Sequence, residues 1–140
     1  MFNRKDDNNK NKHNSTVGSD ITRSDSRIDE TGEVFTPDWM CEHIIRNIPA
    51  SKLKDPNSTF LDNGAGSGNF LVALKNILLE YHDEEHIINN MIYAVELMED
   101  NHAELCERVG VPTDHPHYVC ANSLEYDYSF GQPVGLEAFF

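Results

Sequence analysis

Three glycines at alternate positions, Gly64, Gly66 and Gly68, follow Thr59-Phe60-Leu61-Asp62 and precede a helical pattern of Phe70, Leu71, Leu74, Ile77 and Leu78. A short apolar run that breaks into such a turn and reopens with helical spacing is a strand, a Gly-rich loop and a helix start. With no Cβ at three places the backbone can turn sharply at the carboxyl end of the strand, and a ligand can come close to the main chain. The amides of the helix start point into the same space. An adenine nucleoside joined to something polar suits this arrangement. A tight strand-to-helix connection without a ligand is the other reading.

A second group lies about thirty residues on. Met91-Ile92-Tyr93-Ala94-Val95-Glu96 reads as a buried strand with an acid at its carboxyl end. In an open parallel sheet an acid at the tip of the strand beside the glycine loop can accept both ribose hydroxyls of a nucleoside. Each such charge-assisted bond contributes about 1.5–3 kcal/mol. Leu97 and Met98, which follow, would flank the adenine ring. Dinucleotide enzymes carry the same acid, so Glu96 supports a nucleoside without choosing the cofactor.

Spacing narrows the choice. The dinucleotide fingerprint places a glycine where this chain has Asn69. The run Asp62, Gly64, Gly66, Gly68 and Phe70, with Ala65 inside it, instead resembles the first motif of the S-adenosylmethionine-dependent methyltransferases. Upstream, Phe35-Thr36-Pro37 resembles the segment that precedes the glycine loop in adenine-specific (N6) and some cytosine-specific (N4) DNA methyltransferases. The resemblance implies that Phe35, Thr36 and Pro37 lie against the methionine end of S-adenosylmethionine. It also implies that Asn122, at the tip of a third strand with Ser123, accepts a hydrogen bond from the exocyclic amine of the adenine, although a turn amide is an equal reading. The similarity covers residues 31 to about 128, the cofactor half. Those enzymes hold the flipped target base in a later Pro-Pro loop, and this chain has no Pro-Pro pair. The implied function is therefore the cofactor-binding part of a DNA adenine-N6 methyltransferase of the restriction–modification kind, inactive by itself. An acidic interaction module or subunit, and a methyltransferase acting on cytosine N4 or on protein, are the alternatives.

The elements that must position these residues give an α/β, Rossmann-like methyltransferase fold, partial, with about three parallel strands and flanking helices. Thr36, Pro37 and Asp38 read as a hydroxyl cap, a first-position proline and a first-turn acid. The helix they open carries Met40, Cys41, Ile44, Ile45 and Ile48 on one face and stops before Pro49. Asp55-Pro56-Asn57-Ser58 is a turn. The helix after the glycine loop should reach about Tyr81. Another spans Glu99 to Val109 before Gly110 and Pro112, and His117–Ala121 is the third strand. Residues 1–30 are Asn-, Asp-, Lys- and Ser-rich, too poor in apolar side chains to offset ordering entropy, and read as a disordered tail; 31–140 form one incomplete domain. The first strand should have its outer edge open, and the last segment, from Tyr126, either folds over that edge or is an unstructured stub.

The net charge of −13 is uneven: residues 1–34 hold six Lys/Arg against seven Asp/Glu, and residues 35–140 hold five against seventeen. So acidic a body repels phosphate backbones, and DNA should be met only through protein outside this chain, such as a complementary methyltransferase half or a protein partner. No run reaches the roughly 20 apolar residues of a membrane span, and no signal-peptide core is present. The expected location is cytoplasmic, without membrane contact. Cys41, Cys106 and Cys120 read as reduced core thiols. His82 with His86, and His115 with His117, lack a metal-site pattern and read as solvated ends of elements, so no metal is expected.

Overall fold

The computed structural model describes residues 35–136. The expected polar tail and the Thr31–Val34 start of the domain lie outside these residues, as do residues 137–140. In chain order the elements are α1 (Asp38–Ile45), α2 (Ala50–Lys54), β1 (Phe60–Asp62), α3 (Asn69–Leu78), α4 (Glu84–His86) running into a π-helical turn (Ile87–Met91), β2 (Ile92–Glu96), α5 (Glu99–Val109) and β3 (Tyr118–Cys120).

All three strands are parallel, in the order β1-β2-β3. This is the expected α/β class, with helices crossing between parallel neighbours. Phe60 and Asp62 pair with Ile92 and Ala94, and Ala94 pairs in turn with Tyr118. Because side chains alternate across a strand, these residues share the face that packs on α3 and α5. Ile92, Ala94, Tyr118, Leu71, Leu74, Leu78, Leu105 and Val109 are all buried there. α3 contributes an i, i+3 stripe of Leu71, Leu74 and Ile77, and α5 contributes Leu105, Cys106 and Val109.

Leu61 and Tyr93 point to the opposite face. The chain covers part of it with its own aromatic residues: Tyr93 stacks on His117 with centroids 4.1 Å apart, and Phe130 meets Tyr93 edge-on at 4.9 Å. Residues 126–130 thus lie on this face, where Tyr93 offers a ring to pack on, and not over the outer edge of β1 as expected. At the outer edge of β1 an apolar groove of about 500 Å3 runs between α1 and α3, lined by Ile44, Ile48, Leu61, Phe70 and Leu74.

Several local expectations need correction. Pro37, not Thr36, occupies the cap position of α1, its carbonyl accepting from the Met40 and Cys41 amides at 3.0 Å. Only Cys41 and Ile45 of the α1 stripe are buried within the helix; Ile44 faces the groove instead. α3 ends at Leu78, where the chain turns back and His82 Nε2 meets the Leu53 carbonyl at 2.7 Å. His86 Nε2 meets the Pro56 carbonyl at 2.8 Å in the same way. His82 ties α2, and His86 the α2–β1 connection, to this corner, so neither is merely solvated. The short helices α2 and α4 were not foreseen, because each is shorter than the window in which helical periodicity shows. Cys41 and Cys106 are buried thiols, but Cys120 is exposed. No group of His, Cys, Asp or Glu among the described residues could hold a metal. No described helix is long and apolar enough to cross a membrane.

Candidate functional site

The glycine loop joins the carboxyl end of β1 to the start of α3, and its three glycines answer three different demands. The Asp62 carboxylate accepts the Gly64 amide at 3.1 Å, and an added Cβ at Gly64 would meet nothing within 4 Å, so this side of the loop stands open to a ligand. Gly66 has φ +55°, and a Cβ there would lie 3.0 Å from the Phe35 ring. Gly68 has φ +94°, and its Cβ would lie 3.0 Å from the Leu105 Cβ on α5. Left-handed backbone and close approach coincide at both. Ala65 is buried beneath, its amide donating to the Val95 carbonyl at 3.2 Å, which locks the loop to β2.

Glu96 sits at the tip of β2 with 7% of its surface exposed. Its Oε2 accepts the Gly66 amide at 2.6 Å, and its Oε1 accepts the Met98 amide at 2.9 Å and an Asn101 side-chain N–H at 3.5 Å. A carboxylate has about four acceptor sites. Glu96 therefore spends much of its capacity shaping the loop, and a ribose hydroxyl would take what is left. Burial, with the Glu96 charge adding to it, raises the Asp62 carboxyl above its usual range, against the lowering effect of the Gly64 amide. Two acids thus converge on one glycine loop.

Phe35 and Thr36 meet this loop and the start of α3, with the Phe35 ring against Gly66. The residues that fasten them there were missed. Asn69, the first residue of α3 and only 8% exposed, donates its side-chain N–H to the Thr36 carbonyl at 2.8 Å. Its Oδ1 accepts from Arg108 Nη1 at 2.8 Å, and the same nitrogen donates to the Ser67 carbonyl at 2.8 Å. An amide directly after a Gly-rich turn is a signal that could have drawn attention to Asn69. Nothing in the α5 pattern marks Arg108. Cys41, buried below, directs its thiol at the Thr36 carbonyl at 3.6 Å; burial, with Asp38 and Asp62 nearby, pushes it up to about 11 and keeps it a neutral thiol.

At the far side, Leu97 is 58% exposed beside Glu96, with Met98 partly covered. The Ala121 amide donates to the Glu96 carbonyl at 3.0 Å, which brings the tip of β3 alongside. There Asn122 Oδ1 accepts the Leu124 amide at 3.0 Å, so the side chain acts as a turn amide. The Ser123 carbonyl accepts from the Tyr128 hydroxyl at 2.7 Å. Phe70 lines the groove along β1 together with Asp62. The carboxyl ends of β1 and β2 therefore meet at one loop, with the tip of β3 beside β2, the end of the sheet at which open α/β folds bind ligands.

The family model for N-6 DNA Methylase matches residues 22–111. No curated protein matches the chain. The matched span starts within the polar tail and takes in Phe35-Thr36-Pro37, the whole glycine loop, Asn69, Glu96 and Arg108. Since it covers more than half of the 140 residues and all of the loop's supporting contacts, the chain belongs to the N-6 DNA methylase family.

Proposed function

We propose that this chain is the S-adenosylmethionine-binding part of a DNA adenine-N6 methyltransferase. The observation that carries the reading is the convergence of Asp62 and Glu96 on the glycine loop. Two carboxylates held near one ligand space favour a nucleoside that carries positive charge, as the sulfonium and ammonium of S-adenosylmethionine do. They disfavour the pyrophosphate of a dinucleotide. Family membership supports the same cofactor.

The residues present fit such a ligand. Glu96 would hold the ribose, Leu97 and Met98 would border the base, and Gly64 leaves the main chain approachable. Phe35, Thr36 and Pro37 would close over the methionine end, and Asp62 would balance its charge. When bound, the cofactor supplies a methyl group on a sulfonium for in-line transfer to an adenine amine. The contribution of this chain is positioning and electrostatics. The loop that holds the target base would come from protein beyond these residues, and the apolar groove along β1 is a surface such protein would cover.

Calorimetric titration with S-adenosylmethionine, repeated with NAD and with Glu96→Ala, tests the reading. Micromolar binding that NAD does not show and the variant loses is the expected result. Equal binding of NAD, or no binding of either, overturns it. The strongly acidic residues 35–140 favour a second reading, a non-catalytic interaction module. Capture of a partner protein that survives substitution of both Asp62 and Glu96 would select it.

A further inference from the structure

We propose that Asn69 is a positioning residue that couples the Phe-Thr-Pro segment to the glycine loop, so that both present one rigid wall to the ligand. The inference rests on the reading of that loop as a cofactor site. Two adjacent residues attach the segment to the loop at two points: the Phe35 ring lies over Gly66, and the Thr36 carbonyl takes the Asn69 amide N–H. The second contact alone has direction, since it needs a donor at a fixed place at the start of α3. Arg108 supplies the other half of the device. By binding Asn69 Oδ1 and the Ser67 carbonyl with one nitrogen, it fixes which end of the Asn69 amide faces Thr36. Asn69 is buried and both ends of its side chain are engaged.

A residue that merely completes the start of α3 would not need to reach Thr36, 33 positions earlier in the chain. The consequence for binding follows from that reach. Without the Asn69 donor, Phe35 loses its neighbour's anchor, and the ring no longer has a fixed position over Gly66. The segment then pays part of its ordering entropy when ligand binds.

Asn69→Asp tests this, because it removes the donor while keeping an acceptor for Arg108. S-adenosylmethionine affinity is measured by calorimetry for the wild type, Asn69→Asp, Phe35→Ala and the double variant, with amide hydrogen exchange of residues 35–41 followed without ligand. The expected result is about tenfold weaker binding in Asn69→Asp, the scale of one lost buried hydrogen bond. In the Phe35→Ala background the same change should cost almost nothing, since contacts in one chain of action are not additive. Exchange should quicken over 35–41 and stay unchanged in the buried turns of α3. Additive losses, or faster exchange spread over the whole domain, would overturn the proposal and leave Asn69 a purely structural residue. If the wild type binds no S-adenosylmethionine, the cofactor reading fails, and exchange alone decides the coupling: faster exchange confined to 35–41 supports it, and unchanged exchange there refutes it.

Discussion

The Gly66 amide donates to the Glu96 carboxylate at 2.6 Å across thirty residues of sequence, so the acid at the tip of β2 is also the strut of the glycine loop. This double duty makes a specific prediction for Glu96→Gln. The amide keeps the shape of the side chain but lacks the charge, and its NH2 end, whichever way it turns, is a donor that faces the N–H of either Gly66 or Met98. Removal of one partner of a buried charged hydrogen bond costs about 1.5–3 kcal/mol. Urea unfolding should therefore show a lower midpoint as well as lost ligand binding. Wild-type stability with lost binding would mean that Glu96 serves the ligand alone.

Gly64 and Gly66 should respond in opposite ways to the same added methyl. Gly66→Ala places a Cβ 3.0 Å from Phe35 on backbone at φ +55°, and should lose about 1–2 kcal/mol of stability. Gly64→Ala adds a Cβ to open space, with no positive φ, and should fold with a thermal midpoint near that of the wild type. Yet that open space is where a ligand approaches the main chain, so Gly64→Ala should weaken S-adenosylmethionine binding by calorimetry. A Gly64→Ala protein that binds normally would place the ligand elsewhere.

The pattern of residues carried the parts of this fold that depend on periodicity. The strand, glycine loop and helix start from Phe60 to Leu71, the acid at the end of β2 and the helix stopping at Gly110 were legible because apolar spacing and glycines mark them. The contacts that turn the loop into a site were not. Glu96 reaching back to Gly66, Asn69 to Thr36 and Arg108 to Asn69 join residues about thirty to forty positions apart, and no local pattern encodes such pairs. Asn69 looked like a missing glycine in the wrong fingerprint; its side-chain amide holds the Thr36 carbonyl and the Arg108 guanidinium. Likewise, the packing of His117 and Phe130 on Tyr93 depends on the pleat of β2, which shows only once the register of the strands is known.

Asp62 carries a raised pKa, mainly because it is buried and secondarily because Glu96 is charged nearby. A carboxyl that binds its proton more readily folded than unfolded weakens the folded state once pH rises past its ordinary value of 3.8. Asp62→Asn removes that unfavourable charge while keeping an oxygen for the Gly64 amide. The free variant should be at least as stable as the wild type at pH 7, by thermal unfolding, while binding S-adenosylmethionine more weakly. If a cationic ligand relieves the repulsion, its affinity for the wild type should also fall as pH drops and Asp62 takes up a proton. Pure destabilisation of Asp62→Asn, with affinity unchanged, would argue against an electrostatic role.

A second pH dependence, at mildly acidic pH, should come from His115 and His117, outside the loop. His115 Nδ1 accepts the His117 backbone amide at 3.1 Å while its Nε2 meets Asn89 Oδ1 at 2.9 Å, an arrangement that requires a neutral ring. His117 is stacked on Tyr93, and its Nδ1 is buried with no partner to accept a proton's hydrogen bond. Burial lowers both rings below the ordinary 6.5, with Asp114 partly opposing this at His115; the neighbouring His115 lowers His117 further, partly offset by the hydrogen bond to the Ile92 backbone. Because the folded pKa values are depressed, the unfolded chain binds the extra protons first. The stability these rings contribute is full above about pH 6.5 and is lost as pH falls through their folded values. Urea midpoints should therefore drop between pH 7.5 and 5.5, and His117→Phe, which keeps an aromatic ring against Tyr93 without a titrating nitrogen, should drop less. Loss of Tyr93 and Phe130 contacts, seen as new exchange in residues 126–130 at the lower pH, would accompany the change. Equal pH dependence in His117→Phe would trace the effect to other groups.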